Sequence, residues 1–377
     1  MKMTAAVMYE QGRPKPYVDS VPFQIEEVDL EGPGEGEVLV EVIAAGLCHS
    51  DLSQVAGLRK RKLPVVGGHE GAGIVREIGA GVTELKPGDH VVMTVVSGCG
   101  CCRACDRMRP ALCQSVTGPR TQGLLATGAR RLSRNGQPIY HYSGISAFAQ
   151  YAIAVPKSLI RIDDDVPLDV AAMFGCAVVT GAGSVLNTAK VPEGASVAVV
   201  GLGGVGLNAV MAARIAGAAQ IFGIDINAAK FQLARDLGAT ETFLATDAEI
   251  VQKVRDLSNG GVDFVFDMTG NPQAVAMGNS ITARGGDVIC VGLGASDTLF
   301  QYVHAALVTE ERGLRGSFMG STVPERDIPY YISLYKAGKM PVDRLKTSDI
   351  SFSELNLSLD QLDRGEVVRQ ILRPHAA

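Results

Sequence analysis

Val197-Ala-Val-Val-Gly201-Leu-Gly203-Gly204-Val-Gly206 is the stretch whose reading decides the fold. An apolar, mostly β-branched run ends in Gly-x-Gly-x-x-Gly, and a helical pattern over 204–217 follows. In that order the run reads as a buried strand, the glycines as a tight turn, and the remainder as a helix. Gly201 permits the turn, Gly203 lets a pyrophosphate approach the backbone, and Gly206 lets the helix pack on the sheet. The helix start, at Gly204 and Val205, then offers N–H groups and a positive dipole end to phosphate. Nineteen residues past Gly206, Asp225 ends the next apolar run. A carboxylate there accepts bonds from both ribose hydroxyls and repels a 2′-phosphate, which favours NAD over NADP. A purely structural turn, with Asp225 as a helix cap, is the other reading of the same residues.

Outward from this stretch, strand-like and helix-like segments alternate. Residues 196–201, 204–217, 221–225 and 228–237 set the rhythm, and 262–267 and 287–292 continue it. Such alternation predicts βαβ units and a parallel sheet covered on both faces. Gly270 and Gly292-Leu293-Gly294 end later strands at the same sheet edge. The first 150 residues differ. Segments 37–45, 71–78 and 89–96 are β-branched runs bounded by glycines, which predicts a compact β unit with helices tucked in. Beyond about Gly320 the character is mixed, with a helical pattern over 327–337. Pattern alone does not assign this tail to either domain.

The chain has 377 residues, 46% hydrophobic and 20% charged, enough for two domains with separate cores. A net charge of −5 gives no global attraction to nucleic acid or to an anionic membrane surface. The apolar start of the chain soon meets Glu10 and Arg13, and no stretch reaches the length of a membrane span, so a cytoplasmic protein is expected. Disulfides are not kept in that compartment, and the eight cysteines need another purpose.

Their spacing supplies it. Cys99-x2-Cys102-x2-Cys105-x7-Cys113 brings four thiolates close enough to surround one zinc ion, which leaves no position for substrate and makes the site structural. Free thiols clustered by chance are the alternative, and Cys101 is a fifth, interrupting thiol. A dispersed set comprises Cys48-His49-Ser50-Asp51, Gly68-His69-Glu70 and Cys176. Two Cys and one His with an open position form a catalytic zinc pattern. Spacing alone leaves open whether these three meet, because a lone Cys or His is more often a packing residue.

Taken together, these residues resemble the zinc-dependent medium-chain alcohol dehydrogenase family, over essentially the whole chain. Gly68-His69-Glu70-x2-Gly73-x5-Gly79-x2-Val82, the thiolate loop, Gly201–Gly206 and Gly365-Glu-Val-Val-Arg369-Gln-Ile-Leu372 carry the likeness. The segment between Cys113 and Phe148, including Asn135-Gly-Gln-Pro-Ile-Tyr-His-Tyr142, resembles the insertion of the dimeric, animal-type branch. The resemblance implies an α/β chain: a Rossmann, doubly wound parallel-sheet coenzyme domain over 178–320, inserted in a mainly β, GroES-like catalytic domain over 1–177. Residues 321–377 return to the catalytic domain. It implies two zinc ions per chain and NAD, and a homodimer without nucleic-acid or membrane partners.

Carried over residue by residue, Cys48, His69 and Cys176 bind catalytic zinc, with Glu70 behind the metal and Asp51 orienting the His69 ring. Ser50 takes the alcohol proton. Thr180, Val205 and Leu293 hold the nicotinamide end, Asp225 and Lys230 the ribose, and Arg369 the pyrophosphate. The resemblance implies hydride transfer between NAD and a primary or secondary alcohol, or its aldehyde or ketone.

The chain departs from the animal-type pattern at four positions. His49 stands in place of a phosphate-binding Arg, which predicts weaker NADH binding. Ser53 replaces the terminal His of the proton relay, leaving ribose and water, or His49, as routes. Val95 and Ser143 replace larger residues and widen the substrate pocket, whose remaining wall is Tyr142, Leu293 and Phe318, so bulky or aromatic alcohols are expected. Arg59-Lys-Arg-Lys62 lies between Cys48 and His69, and reads either as a solvated basic loop or as a device for drawing in an anionic substrate. Two alternatives stay open: oxidation of a thiol adduct of formaldehyde, with Arg120 as the anion-binding residue, and a non-catalytic NAD-binding protein.

Overall fold

The computed structural model describes residues 1–376 and divides into two compact units. One comprises Met1–Cys176, Val323–Ser333 and the chain from Val342 onward; the other comprises Ala177–Thr322 and Leu334–Pro341.

The second unit is built on a six-stranded sheet. Its order is Glu241–Leu244, Gln220–Asp225, Ser196–Val200, Val262–Asp267, Thr282–Cys290 and Gly313–Gly316, and every pairing is parallel. Numbered along the unit, this is strand order 3-2-1-4-5-6, the doubly wound arrangement. Ser196–Val200 and Val262–Asp267 are neighbours although far apart in sequence, so the strand order reverses between them. Ligands of such sheets bind outside the carboxyl ends at that reversal. The core there is Ala198, Val200, Phe222, Ile224, Val265 and Val288, the apolar runs that pattern assigned to strands.

Two boundaries differ from the sequence expectation. The helix after the glycine turn is Gly204–Ile215 rather than 204–217, because Gly217, at φ +81°, takes the left-handed turn that closes it. The strand expected at 287–292 is Thr282–Cys290. Its register shifts between Val262/Thr282 and Phe264/Asp287, where Gly285 and Gly286 form an irregularity that erases the β pattern from the sequence.

The first unit holds a closed barrel of Lys2–Met8, Phe23–Leu30, Leu132–Arg134, Gln137–His141 and Val65–Val66. Beside it, in the same unit, a seven-stranded sheet is organised around Val38–Leu47. That strand pairs with Gly71–Ile78 and Tyr151–Ala154, and its far end pairs antiparallel with Arg369–Leu372. The register Gln370↔Leu47 sets Arg369 beside Cys48. Val40, Val42, Leu47, Phe148, Leu355 and Leu359 are buried together in this unit's core. No single helix among the described residues is long and apolar enough to cross a membrane.

Candidate metal and coenzyme sites

Val38–Leu47 ends at Cys48, which begins the helix His49–Val55. Asp51 lies on the first turn of that helix, and its Oδ2 accepts the Cys48 backbone N–H at 3.0 Å. Its other oxygen, Oδ1, lies 3.0 Å from His69 Nδ1, and both side chains are buried. A carboxylate at Nδ1 fixes the tautomer with the proton on that nitrogen and leaves the Nε2 lone pair free. His69 Nε2 is indeed buried with no hydrogen-bond partner among the described residues. The Sγ atoms of Cys48 and Cys176 and a ring nitrogen of His69 all lie within 4.8 Å of one another.

Cys176 reaches this cluster from another segment. Thr94 Oγ1 donates to the Gly175 carbonyl at 2.8 Å, tying the end of His90–Met93 to the residue before Cys176. A side chain on Gly175 would collide with the Met93 carbonyl. Thr94 escaped the sequence reading. Its only signal is a polar residue inside the β-branched run 89–96, now fully buried.

The charges of the cluster act on one another, and against the opposing effect of burial Asp51 and Cys48 raise the His69 ring. The Cys48 thiol is held well below its ordinary range, first by a hydrogen bond from Cys176, then by His69 and the Arg369 guanidinium, against the opposing effect of burial. Burial pushes the Asp51 carboxyl up, with His69 opposing. A buried imidazole nitrogen without a hydrogen-bond partner, within 4.8 Å of two thiols, is a donor set that fits zinc with one position open.

Behind the cluster, Glu70 is fully buried and ion-paired with Arg369. Gly46 makes the room: a side chain there would lie 2.6 Å from Arg369 Nη2. Arg369, expected at a pyrophosphate, is thus committed on one side to Glu70, while its Nε has no hydrogen-bond partner among the described residues.

Ser50 is half-buried and His49 exposed at the start of the helix. The Tyr142 phenol makes a weak, 3.5 Å hydrogen bond to the Ser50 carbonyl, and its ring packs edge-on against His69 at 5.6 Å. Burial pushes the Tyr142 phenol up to about 12, so it remains a donor at neutral pH. Ser143, next to it, sits at φ +54°, where a small residue is tolerated and a β-branched one is not. Val95 is half-buried, and its carbonyl accepts from Arg120. Arg59 is half-buried, but the guanidinium lying over the Tyr142 ring, at 5.4 Å, is that of Arg61.

The thiolate loop forms a second cluster in the same unit. One ligand atom each from Cys99, Cys102, Cys105 and Cys113 falls within 4.8 Å of the others. Cys102 Sγ is 3.6 Å from Cys105 Sγ and 3.8 Å from Cys113 Sγ. Those distances are far too long for disulfides. They match the ~3.8 Å edge of a tetrahedron with metal–sulfur bonds of about 2.3 Å. The Cys99 thiol is lowered to about 6, chiefly by the Cys101 backbone N–H, while burial and neighbouring thiols push Cys105 up to about 11. Cys101 lies 3.7 Å from Cys99 and is exposed.

In the second unit, the glycine turn has the shape that a dinucleotide requires. Gly201 has φ +96°, and a side chain on Gly206 would strike the Gly201 carbonyl. Beside Gly203 there is open space instead, with no atom within 4 Å of where a Cβ would sit. Asp225, buried at the end of its strand, accepts the Leu202 N–H at 2.6 Å and the Asn227 N–H at 2.9 Å, and Lys230 Nζ lies 3.3 Å from it. The carboxylate therefore caps the turn, and a carboxylate with about four lone-pair sites can also accept ribose hydroxyls. Thr180 is buried with its hydroxyl 3.7 Å from Met319 Sδ, Val205 is half-buried, and Leu293 and Phe318 are exposed.

Residues 34–164 match the alcohol dehydrogenase GroES-like domain, and 204–337 match the zinc-binding dehydrogenase domain. The chain is 36% identical to an alcohol dehydrogenase class-3 of Cereibacter sphaeroides, over 99% of this chain and all of that protein. It is equally similar to an S-(hydroxymethyl)glutathione dehydrogenase of Paracoccus denitrificans, again at 36% over 99% of this chain and 100% of that one. Among solved structures, benzyl alcohol dehydrogenase from Acinetobacter calcoaceticus superposes with a TM-score of 0.92 at 31% identity, covering 99% of each chain. With two domain matches in sequence and full-length relatives above 30% identity, this chain belongs to the zinc-dependent medium-chain alcohol dehydrogenase family, and is an NAD-dependent alcohol dehydrogenase with zinc and NAD as its cofactors.

Proposed function

We propose that this enzyme oxidises bulky primary or secondary alcohols, aromatic ones included, and reduces the matching aldehydes and ketones. Cys48, His69 and Cys176 hold the catalytic zinc, and Cys99, Cys102, Cys105 and Cys113 hold a structural one. The observation that carries the reading is the Asp51 carboxylate, which fixes the Cys48 backbone and the His69 ring at once and leaves Nε2 turned to the two thiols.

When bound, zinc supplies a Lewis acid that makes the alcohol proton labile, and NAD supplies the hydride acceptor. Ser50 accepts the hydroxyl proton, and Tyr142 steadies the Ser50 backbone through its carbonyl. With Ser53 in place of a terminal His, exposed His49 is the chain's own exit for that proton. Thr180, Val205 and Leu293 orient the nicotinamide. Gly201, Gly203, Gly204 and Gly206 receive the pyrophosphate, and Asp225 and Lys230 hold the ribose. Val95, Ser143 and Tyr142 shape the alcohol pocket, and small residues at 95 and 143 leave room for a ring.

The chain acts as a homodimer in the cytoplasm. Exposed Leu299, Val303, Val308 and Leu314 in the second unit support self-association, and the two thiolate sites need a reducing compartment. An alcohol panel followed at the NADH absorbance, together with zinc analysis, tests the reading. We expect about two zinc per chain and a higher kcat/KM for benzyl alcohol than for ethanol. About one zinc per chain, or no turnover of any alcohol, overturns it.

A further inference from the structure

The Asp51 carboxylate reaches Cys48 and His69, and the third member of the cluster is fixed from another direction. Cys176 follows the short 3-10 helix Met173–Gly175 and leaves it with φ −142° and ψ −67°, outside helical geometry. Where its side chain starts therefore depends on what holds Gly175. A side chain on Gly175 would collide with the Met93 carbonyl and lie 3.3 Å from Glu70 Cβ, so the backbone is pressed against the end of the strand His90–Met93.

Thr94 is the next residue after that strand, and its side chain makes the join. Its hydroxyl oxygen accepts the Val96 N–H at 3.2 Å, the local turn that Ser and Thr side chains form in place of a ladder bond. The same hydroxyl donates its proton to the Gly175 carbonyl at 2.8 Å, and the Thr94 N–H donates to the Ser158 carbonyl at 2.9 Å. A hydroxyl has one proton to give, and here it is given to Gly175. Thr94 and Val96 are buried, so removing the hydroxyl leaves a backbone carbonyl and a backbone N–H without their partner away from water. Val95 lies between the two residues that this hydroxyl joins, so its place in the proposed alcohol pocket is set by the same atom.

We propose that Thr94 is a positioning residue for the catalytic metal: its hydroxyl fixes Cys176 through Gly175, and ties that ligand to the pocket wall at Val95. The proposal rests on the reading that Cys48, His69 and Cys176 hold the catalytic zinc. It makes the hydroxyl of residue 94, rather than its volume, the property that counts. Threonine and valine branch alike at Cβ, so Thr94→Val removes the hydroxyl and keeps the shape, whereas Thr94→Ser keeps the hydroxyl and loses a methyl.

The test uses the full-length, zinc-loaded enzyme and measures retention of the catalytic metal by competition with a chromophoric chelator. Thr94→Val should lower the affinity of that site about tenfold or more, and Thr94→Ser should stay within about threefold of the wild type. The four-thiolate site should keep its zinc in both variants and serves as the internal control. Cobalt in place of the catalytic zinc gives a second readout. Its thiolate-to-metal absorption band should move or weaken in Thr94→Val and match the wild type in Thr94→Ser. Thr94→Val should also change the ratio of kcat/KM for benzyl alcohol over ethanol, and an unchanged ratio removes the tie to Val95. If Thr94→Val does not fold, Thr94→Ala against Thr94→Ser makes the same comparison, because those side chains differ only by the oxygen. Wild-type zinc affinity and a wild-type cobalt band in Thr94→Val overturn the proposal. An equal loss in Thr94→Val and Thr94→Ser also overturns it, since packing would then account for the effect. A wild type with about one zinc per chain removes the zinc reading and this proposal with it, whereas about two zinc and no response to the hydroxyl removes this proposal alone.

Discussion

Asp51 Oδ1 lies 3.0 Å from His69 Nδ1, and Asp51 Oδ2 lies 3.0 Å from the Cys48 backbone nitrogen, so one carboxylate positions two of the three residues of the buried Cys48, His69 and Cys176 cluster. The two contacts come from opposite edges of a single side chain. Losing its charge weakens the hold on the ring while leaving its volume in place.

Asp51→Asn should therefore lower the affinity of the catalytic site for zinc by about 10- to 100-fold. Competition with a chromophoric chelator measures this. The structural site, with four thiolates and no contact to Asp51, should keep its metal, and an unchanged catalytic-site affinity would remove Asp51 from the positioning role.

Cys105→Ser should leave about one zinc per chain by elemental analysis. A loop with Arg103, Asp106, Arg107 and Arg109 exposed or half-exposed has little apolar surface of its own to bury, so the metal stands in for a core. The apparent Tm should fall, and adding zinc should not restore it.

Val95→Phe should shift selectivity toward small alcohols. The extra ring takes volume from the proposed alcohol pocket, and the ratio of kcat/KM for ethanol over benzyl alcohol should rise by about tenfold. A ratio that stays put places the ring of the substrate elsewhere.

His49→Arg should slow NADH release. A guanidinium is always charged and binds phosphate in a fork, whereas the imidazole of exposed His49 presents a single ring N–H. Stopped-flow displacement should show an off-rate several-fold lower, and an equal or faster one contradicts a phosphate contact at this position.

His141 predicts a pH dependence of folding. Its buried ring is lowered to about 4, first by burial and then by Arg130 and Arg131, with Glu37 opposing. The unfolded ring takes up a proton near 6.5, so between those values the unfolded chain binds more protons and stability falls as pH falls. The contribution amounts to about 2 kcal/mol lost between pH 7 and pH 5. His141→Gln keeps an acceptor for the Arg131 N–H, which His141 Nε2 receives at 3.1 Å, and should flatten the decline in Tm relative to the wild type.

Much of this molecule is local in origin, and local features are legible in a chain. The run ending at Gly201 carries its strand, its turn and its helix start within ten residues, because hydrophobic period, positive φ and helix packing each act over a few positions. The thiolate loop is equally local, with four ligands inside fifteen residues. Where glycines interrupt a strand, as at Gly285 and Gly286, the period disappears and the boundary at 282 could not be read.

By itself, then, the sequence determined the doubly wound unit with its glycine turn and the four-thiolate loop, since each is written in residues close together along the chain. Only the tertiary structure decided that Cys48, His69 and Cys176 meet, that Thr94 fixes the approach to Cys176, and that Arg369 lies against Glu70. It also decided that Arg61, rather than its neighbour Arg59, reaches the Tyr142 ring. These are pairings across tens to hundreds of residues, set in large part by strand register, and no local periodicity encodes which distant side chains a folded sheet will bring within a few ångströms.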